Sequence, residues 1–117
     1  MTEERYNGWT NYETWNVALW LGNEQDSDRY WREEAQDAYR CAEANKTFTR
    51  RERAAFDLAE RLKEDIAVEN QPELGASMYS DLLSAAISEV NWCEIAEHYI
   101  DDEADQIDKE EIEEAAE

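Results

Sequence analysis

Apolar residues recur every three or four positions through most of the chain, which is the spacing of an amphipathic α-helix. The spacing is clearest in two stretches: Trp31, Ala35, Ala38, Tyr39 and Ala42 in the first, and Phe56, Ala59, Leu62 and Ile66 in the second. Only three glycines and one proline interrupt the chain, and no stretch alternates polar and apolar residues as a half-buried strand does. The pattern predicts an all-α protein, a compact bundle of about five helices with an acidic C-terminal helix or tail.

Residues with helix-capping propensity mark where the predicted helices begin. Thr10, Thr49 and Asn91 are each followed three residues later by a glutamate, which is the spacing of a capping box. Ser27 can cap the second helix. A fourth helix is predicted to follow the chain's one proline, with apolar positions at Met78, Leu82, Ala86 and Val90.

The chain's 117 residues are the length of one domain. Thirteen of them are aromatic, and each aromatic side chain can bury about 150–250 Å², so a folded core is expected in spite of the acidic composition. Residues 1–100 are predicted to form a single helical domain. Residues 101–117 are predicted to form an acidic C-terminal extension, either helical or frayed.

The net charge of −20 comes from 31 acidic and 11 basic residues, and it is unevenly distributed. Residues 29–63 carry a net charge of +2, whereas residues 64–117 carry −17. The excess of negative charge disfavours direct binding to nucleic acid or to an anionic membrane, since phosphates would be repelled. Solubility, or adaptation to a saline cytoplasm, is one explanation. A cationic partner that relieves the self-repulsion is the other, and the concentration of acids late in the chain favours it.

The acids of the C-terminal extension are the candidate partner-binding residues. Residues 101–117 hold ten acids and one base, so a helix with a rise of about 1.5 Å per residue would place a carboxylate about every 2.5 Å. Duplex DNA carries one phosphate charge per about 1.7 Å, which is a similar density. The predicted binding residues are Asp101, Asp102, Glu103, Asp105, Asp108, Glu110, Glu111, Glu113 and Glu114, preceded by Glu94 and Glu97.

Residue types that carry catalysis or bind metals are scarce. His98 is the one histidine; Glu94 and Asp101 could share its helix face, but metal sites in helical bundles use Glu-x-x-His motifs from more than one helix. No glycine-rich phosphate loop is present. Cys41 and Cys93 lack metal-ligand spacing and are expected to be small buried residues without a disulfide. The sequence therefore predicts a protein that is not an enzyme and that needs no cofactor or metal.

The sequence shows no N-terminal signal and no apolar run long enough to span a membrane, so a cytoplasmic location is expected. A basic cluster formed by Lys46, Arg50, Arg51 and Arg53 could suggest nucleic-acid binding. The rest of the chain is strongly acidic, however. These arginines are therefore expected to pair with the acidic C-terminal half.

Near the N-terminus the chain is rich in aromatic residues. Residues 11–17 are Asn-Tyr-Glu-Thr-Trp-Asn-Val, preceded by Gly-Trp-Thr at positions 8–10. This segment resembles the signature of a family of small proteins found in phages, plasmids and microbial genomes, and residues 88–96 are similar to a second segment of that family. No enzymatic activity is established for that family, so the resemblance says little about chemistry. It implies carriage on mobile elements, where interference with host defence is a common role.

Two interpretations of these aromatic residues are open. In the first they are structural: Trp15 and Leu19 face the core, while Trp9 and Tyr12 pack at the start of the first helix. In the second, Trp9 and Trp20 are exposed and form a recognition surface.

Two functions follow from these features. The first is an anti-defence DNA mimic that blocks the DNA-binding groove of a host nuclease or CRISPR effector. Its partner would be a basic host DNA-binding protein, and it would act in the host cytoplasm, as acidic anti-restriction proteins of phages do. The alternative is a small acidic adaptor or regulatory protein that binds a protein partner through its aromatic N-terminal segment. The oligomeric state is left open.

Overall fold

The computed structural model describes residues 5–116; residues 1–4 and Glu117, the two ends of the predicted domain and extension, lie outside the described residues. Helices make up most of this part: α1 (Tyr12–Asn23), α2 (Gln25–Cys41), α3 (Arg50–Lys63), α4 (Met78–Ser88) and α5 (Trp92–Ala116). Helix α3 continues directly into a π-helical turn, Glu64–Glu69, here called the π turn. No strand occurs between residues 5 and 116; a single bridge joins Tyr6 and Trp9. The predicted all-α bundle of about five helices with an acidic C-terminal helix is confirmed.

Two of the predicted helix starts are confirmed in detail. The Thr49 hydroxyl accepts a hydrogen bond from the Glu52 backbone N–H at 3.1 Å, and the Glu52 carboxylate accepts one from the Thr49 N–H at 3.0 Å. This is a complete capping box. Asn91 Oδ1 accepts from the Glu94 N–H at 3.1 Å, so it caps α5 as predicted.

The other two predicted starts are wrong by one and by three residues. The N-cap of α1 is Asn11 rather than Thr10, because Asn11 Oδ1 accepts from the Thr14 N–H at 2.9 Å. Ser27 lies inside the first turn of α2, since only Glu24 separates α1 from α2. The short link leaves no room for a cap at Ser27.

Helices α2, α3 and α5 enclose the core. Its buried side chains are Trp31, Ala35, Ala38 and Tyr39 from α2, Ala54, Ala55, Leu58, Ala59 and Leu62 from α3, and Ile95, Ala96, Tyr99, Ile100, Ala104 and Ile107 from α5, with Val90 beside them. Alanines at many of these positions let the three helix backbones approach closely. The α2 stripe predicted from periodicity is confirmed, with Ala42 only partly buried.

Helix α5 crosses residue 101 without a break, so residues 101–116 are helical and continue the domain. Ala104 and Ile107 are buried in the core, which fastens this part of the helix to α2 and α3. Ile112 is 70% exposed, so the buried apolar contact ends at Ile107, about two and a half turns before the end of the helix.

Two residues expected to be buried, Phe56 and Cys41, are exposed instead. The buried stripe of α3 runs through Ala55, Leu58 and Leu62, which turns Phe56 to the surface, where it packs edge-on against Phe48. Cys41 ends α2 beyond the core and is exposed, while Cys93 is partly buried.

Candidate functional site

Residues 101–116 of α5, here called the C-terminal acidic segment, carry nine acids and one lysine. The buried residues Ala104 and Ile107 divide these acids into two rows. One row faces α3 and the other faces α2. Arginines from both neighbouring helices meet them.

Arg51 of α3 forms ion pairs with the acids on the α3 side of the segment. Its guanidinium lies 3.3 Å from Asp101, 2.5 Å from Asp105 and 3.7 Å from Asp108. The hydrogen bond to Asp105 is the largest cause of a pKa of Arg51 above its ordinary value. One arginine therefore spans two turns of the C-terminal acidic segment.

Arg50 has the most complete set of contacts. Its two terminal nitrogens donate to the two carboxylate oxygens of Glu111, each at 2.9 Å, and its Nε donates to the Tyr39 carbonyl at 3.0 Å. The guanidinium also lies 4.0 Å above the centre of the Tyr39 ring, a cation–π contact. The bond from Arg50 lowers the pKa of Glu111 below its ordinary value. Bidentate pairs of this kind are the strong form of a surface ion pair.

The side facing α2 is held by weaker contacts. Arg40 lies 3.3 Å from Glu110, and the Gln36 amide donates to Glu103 at 3.0 Å. The Tyr39 hydroxyl donates to Asp108 at 2.5 Å. Burial and this bond raise the pKa of Tyr39.

The expectation that the basic cluster pairs with the acidic C-terminal half is confirmed for Arg50 and Arg51. It is wrong for Arg53, which donates to the Glu43 carbonyl at 2.9 Å. Lys46 makes no ion pair with any residue between 5 and 116.

These arginines lower the net charge that the segment presents. Nine acids, Lys109 and the three bound arginines leave a net charge of −5. Sixteen helical residues extend over about 24 Å, which gives one net charge per about 5 Å. Duplex DNA has one per about 1.7 Å. The net charge density is thus about half of that expected from the sequence and about a third of that of DNA.

Several predicted binding residues keep accessible carboxylates. Asp102, Glu113 and Glu114 are exposed and form no ion pair with a described residue. Asp101 and Asp105 are also exposed, although Arg51 contacts them. Glu97 lies exposed beside Asp101 and Phe56 in a shallow groove between α3 and α5.

Glu94, in contrast, is committed to the fold. It accepts from the Thr10 backbone N–H at 2.8 Å and binds Arg5. Burial alone would favour the neutral form, but the bonds from Thr10 and Arg5 outweigh it and lower the pKa of Glu94. The structure does not bring Glu94 together with the predicted binding residues at the other end of α5.

Residues 64–90, here called the acidic-apolar segment, show the opposite arrangement. They hold six acids and no lysine or arginine. No residue of the π turn or α4 is buried, and Met78, Tyr79 and Leu82 are 65%, 67% and 62% exposed. The predicted fourth helix is present, but Met78 and Leu82 are exposed because no helix covers that face of α4 in the described chain. Of the apolar positions predicted for this helix, only Val90 is buried.

A groove of about 330 Å³ opens between α1, the π turn and α4. Its apolar walls come from Val17, Ile66, Pro72, Leu83, Ile87 and Val90, and Tyr12 and Glu13 stand at one side. Sequence reasoning missed this groove. A signal was available in residues 64–90, where apolar residues at helical spacing occur together with six acids and no lysine or arginine.

The signature at residues 11–17 acts as a structural joint. The buried Thr14 hydroxyl donates to Asn11 Oδ1 at 2.6 Å and accepts from the Asn91 backbone N–H at 2.9 Å. Asn11 also donates to the Glu89 carbonyl at 2.6 Å. These bonds fasten the start of α1 to the start of α5.

The aromatic residues around this joint are partly structural. Tyr6 packs against Tyr12 and Trp15 with ring centres 5.2 and 4.9 Å apart. Trp9 stacks on His98 at 4.1 Å, which makes His98 a surface residue in contact with an aromatic ring.

Of the residues at the end of α1, Leu19 is exposed rather than buried, because Val17, Ala18 and Leu21 are the α1 residues that meet the core. Trp20 is 69% exposed, in agreement with the recognition interpretation for that one residue. Trp9 is partly covered by His98.

Among the helices within residues 5–116, none has the length and apolar character that crossing a membrane requires. A comparison with curated proteins and with solved structures gives no match. A family model, described as a family of unknown function (DUF7249), matches residues 2–116. The chain therefore belongs to the DUF7249 family.

Proposed function

We propose that this protein acts without catalysis, as a DNA mimic that blocks the DNA-binding groove of a host nuclease or CRISPR effector. The observation that carries the proposal is a set of exposed carboxylates held along one continuous helix of 25 residues. Asp101, Asp102 and Asp105 belong to this set, and Glu113 and Glu114 extend it toward the end of α5.

The arginine pairs support binding as well as folding. They order the C-terminal acidic segment before any partner arrives, so fewer side chains lose freedom on association. The net charge of −20 would steer the protein toward a positively charged cleft and would speed association at low salt. A cleft lined with lysines and arginines could contact the outer carboxylates while the inner ones stay bound to α2 and α3.

The setting proposed for this activity is the cytoplasm of a host cell, where the partner would meet DNA. The resemblance of residues 11–17 to proteins carried by phages and plasmids supports an anti-defence role. An inhibitor that excludes DNA needs no catalytic residue, which suits a chain with one histidine.

The test is a DNA-cleavage assay with restriction endonucleases and CRISPR effectors of a candidate host, combined with displacement of a fluorescent duplex. The triple variant D102N, E113Q and E114Q removes three charges that form no ion pair in the described structure. We expect it to weaken inhibition about tenfold, or 1.4 kcal/mol. The wild-type effect should decrease as salt is raised.

A matched control removes three acids from elsewhere on the surface, namely E24Q, E33Q and E43Q, which are exposed and form no ion pair within the described chain. Retained inhibition by the control places the effect in α5. Equal loss in both triple variants would contradict mimicry by α5 and leave only a general charge effect. An absence of DNA displacement would reject mimicry altogether.

The adaptor function remains a second candidate because Trp20 is 69% exposed at the end of α1. Exposed Trp is a frequent anchor of protein interfaces. If the protein is an adaptor, Trp20→Ser should abolish partner binding while the α5 triple variant retains it. Mimicry predicts the reverse.

A further inference from the structure

We propose that the groove between α1, the π turn and α4 is a separate binding surface whose occupant is a basic amphipathic helix of a protein partner. This surface lies at the N-terminal end of α5, whereas the C-terminal acidic segment ends beside Arg40 and Arg50 at the other. The inference goes beyond DNA mimicry and does not depend on it.

The apolar residues of α4 cover more of its surface than the described chain buries. Asp81 is its one charged side chain, and the polar residues Ser80, Ser84 and Ser88 lie on the same side of the helix as Asp81. On the apolar side, Leu83 and Ile87 line the groove, while Met78, Tyr79 and Leu82 are largely exposed. Contiguous exposed apolar surface on a soluble domain marks an interaction site.

The apolar walls of the groove suit the side chains of a partner helix better than a small polar ligand. Helix α4 extends for about 16 Å, about three turns, and the groove beside it holds about 330 Å³ between apolar walls. A partner helix would place side chains at positions i, i+3 or i+4, and i+7 into such a groove. The π turn makes the wall possible: the Asn70 N–H donates to the Asp65 carbonyl at 3.0 Å, and the chain then turns so that Pro72 faces α4.

The charge near the groove favours a basic occupant. Glu13 is the charged residue among those that line the groove, and the acidic-apolar segment, which supplies two sides of the groove, carries six acids without a lysine or arginine. A second copy of the chain would bring its own six acids against these. An apolar helix with lysines or arginines on its flanks matches both the apolar walls and the negative charge of this segment.

The experiment uses a synthetic 18-residue helix of leucine and lysine with the apolar residues on one face. A peptide of the same composition in scrambled order is the control, because it keeps the charge and loses the apolar face. Isothermal titration with the full chain at about 0.15 M salt is expected to show at least tenfold tighter binding of the amphipathic peptide. Equal binding of the two peptides would overturn the proposal.

Variants of the protein locate the binding. Tyr79 and Leu82 lie on the exposed apolar side of α4 next to the groove lining, where a helix seated in the groove would cover them. Tyr79→Ser and Leu82→Ser are compatible with folding because both residues are exposed, and together they are expected to weaken peptide binding about tenfold. Ile112→Ser, an equally exposed apolar residue on α5, should leave it within twofold. Equal loss from Ile112→Ser would overturn the assignment to the groove.

Two further readouts separate this surface from its competitors. The triple variant D102N, E113Q and E114Q should bind the peptide within twofold of wild type, so failure of DNA mimicry and failure of the groove proposal are distinguishable. Sedimentation of the free chain should show a monomer. A dimer that Leu82→Ser dissociates would overturn the proposal in favour of a second copy as the occupant.

Discussion

The C-terminal acidic segment and the acidic-apolar segment come from the same half of the chain, which carries a net charge of −17, yet they use their acids differently. In the first, Arg40, Arg50 and Arg51 bind the carboxylates and Ile107 enters the core. In the second, no basic residue is present and the apolar side chains of α4 are exposed. The density of acidic residues along a sequence therefore does not show which carboxylates stay without a basic partner. That depends on which side chains lie next to them in the folded protein.

The difference has an energetic side. A single exposed ion pair contributes about 0–1 kcal/mol, so none of the arginines alone holds α5 in place. Several ion pairs lie on both sides of the buried seam of α5, which is formed by Ala104 and Ile107. They act together because each is formed by a side chain that its neighbours have already ordered. The acidic-apolar segment buries no side chain other than Val90 and forms no ion pair with a described residue, so substitutions before Val90 should cost the least stability.

The largest expected effect comes from the buried seam. Ile107→Ala should lower the free energy of unfolding by about 2–4 kcal/mol, since the lost side chain leaves a cavity in the core. Leu82→Ala on α4 should change it by less than about 0.5 kcal/mol. Urea unfolding monitored by tryptophan fluorescence measures both.

Ile112→Ala is the control within α5 itself, because Ile112 is 70% exposed and Ile107 is 2% exposed on the same helix. Its effect should resemble that of Leu82→Ala. A loss of several kcal/mol from Leu82→Ala would mean that α4 is packed in solution, and the contrast between the two segments would fail.

A smaller effect is expected from Arg50→Met, which keeps much of the apolar stem and removes the guanidinium. The bidentate bond to Glu111, the bond to the Tyr39 carbonyl and the cation–π contact are lost together, at a cost of about 1–2 kcal/mol in unfolding free energy. Because exposed pairs are screened, raising the salt concentration should narrow the difference between wild type and variant.

Lys46→Met provides the comparison for that measurement, since Lys46 belongs to the same basic cluster and forms no ion pair with a described residue. It should leave stability nearly unchanged at any salt concentration. If both substitutions destabilise equally, the contribution of Arg50 is general charge balance rather than its bonds to α5.

The sequence predicted the parts of the fold that local rules determine. The α2 stripe from Trp31 to Tyr39 has the helical period, and the capping box at Thr49 is specified by two residues three apart. The assignment failed for Phe56 because apolar neighbours at Ala55 and Leu58 already fill the core-facing stripe. The helix α4 was predicted, but its exposure was not, because periodicity shows that a helix has an apolar side but not whether another helix covers that side.

The candidate sites were harder to predict, since they depend on pairs far apart in the chain. Arg51 and Asp105 are 54 residues apart in sequence and 2.5 Å apart in space. The general expectation of arginine–acid pairing was accessible from charge balance. Which carboxylates the arginines neutralise depends on how α3 and α5 are rotated relative to each other. No local sequence pattern specifies that rotation, so the carboxylates left for a partner could not be predicted.

The smallest effect separates a carboxylate that the fold uses from one that it leaves at the surface. Glu94→Gln removes the pair with Arg5 and should cost about 1 kcal/mol at pH 7. The pKa of Glu94 is lowered on folding, so its stabilisation is fully present above the ordinary value of 4.5 and is lost as the pH falls through the lowered value. The difference between wild type and variant should therefore be constant near neutrality and vanish in acid.

The relief of self-repulsion in acid acts on wild type and variant alike, and it cancels in this difference. Glu97→Gln is the control three residues away, because it removes a charge without breaking an ion pair. Its effect at pH 7 should be zero or slightly stabilising, since the chain already carries −20. Urea midpoints measured between about pH 3 and pH 7 distinguish the two. A Glu94→Gln difference that persists in acid would show that the side chain stabilises the fold by packing rather than by its charge.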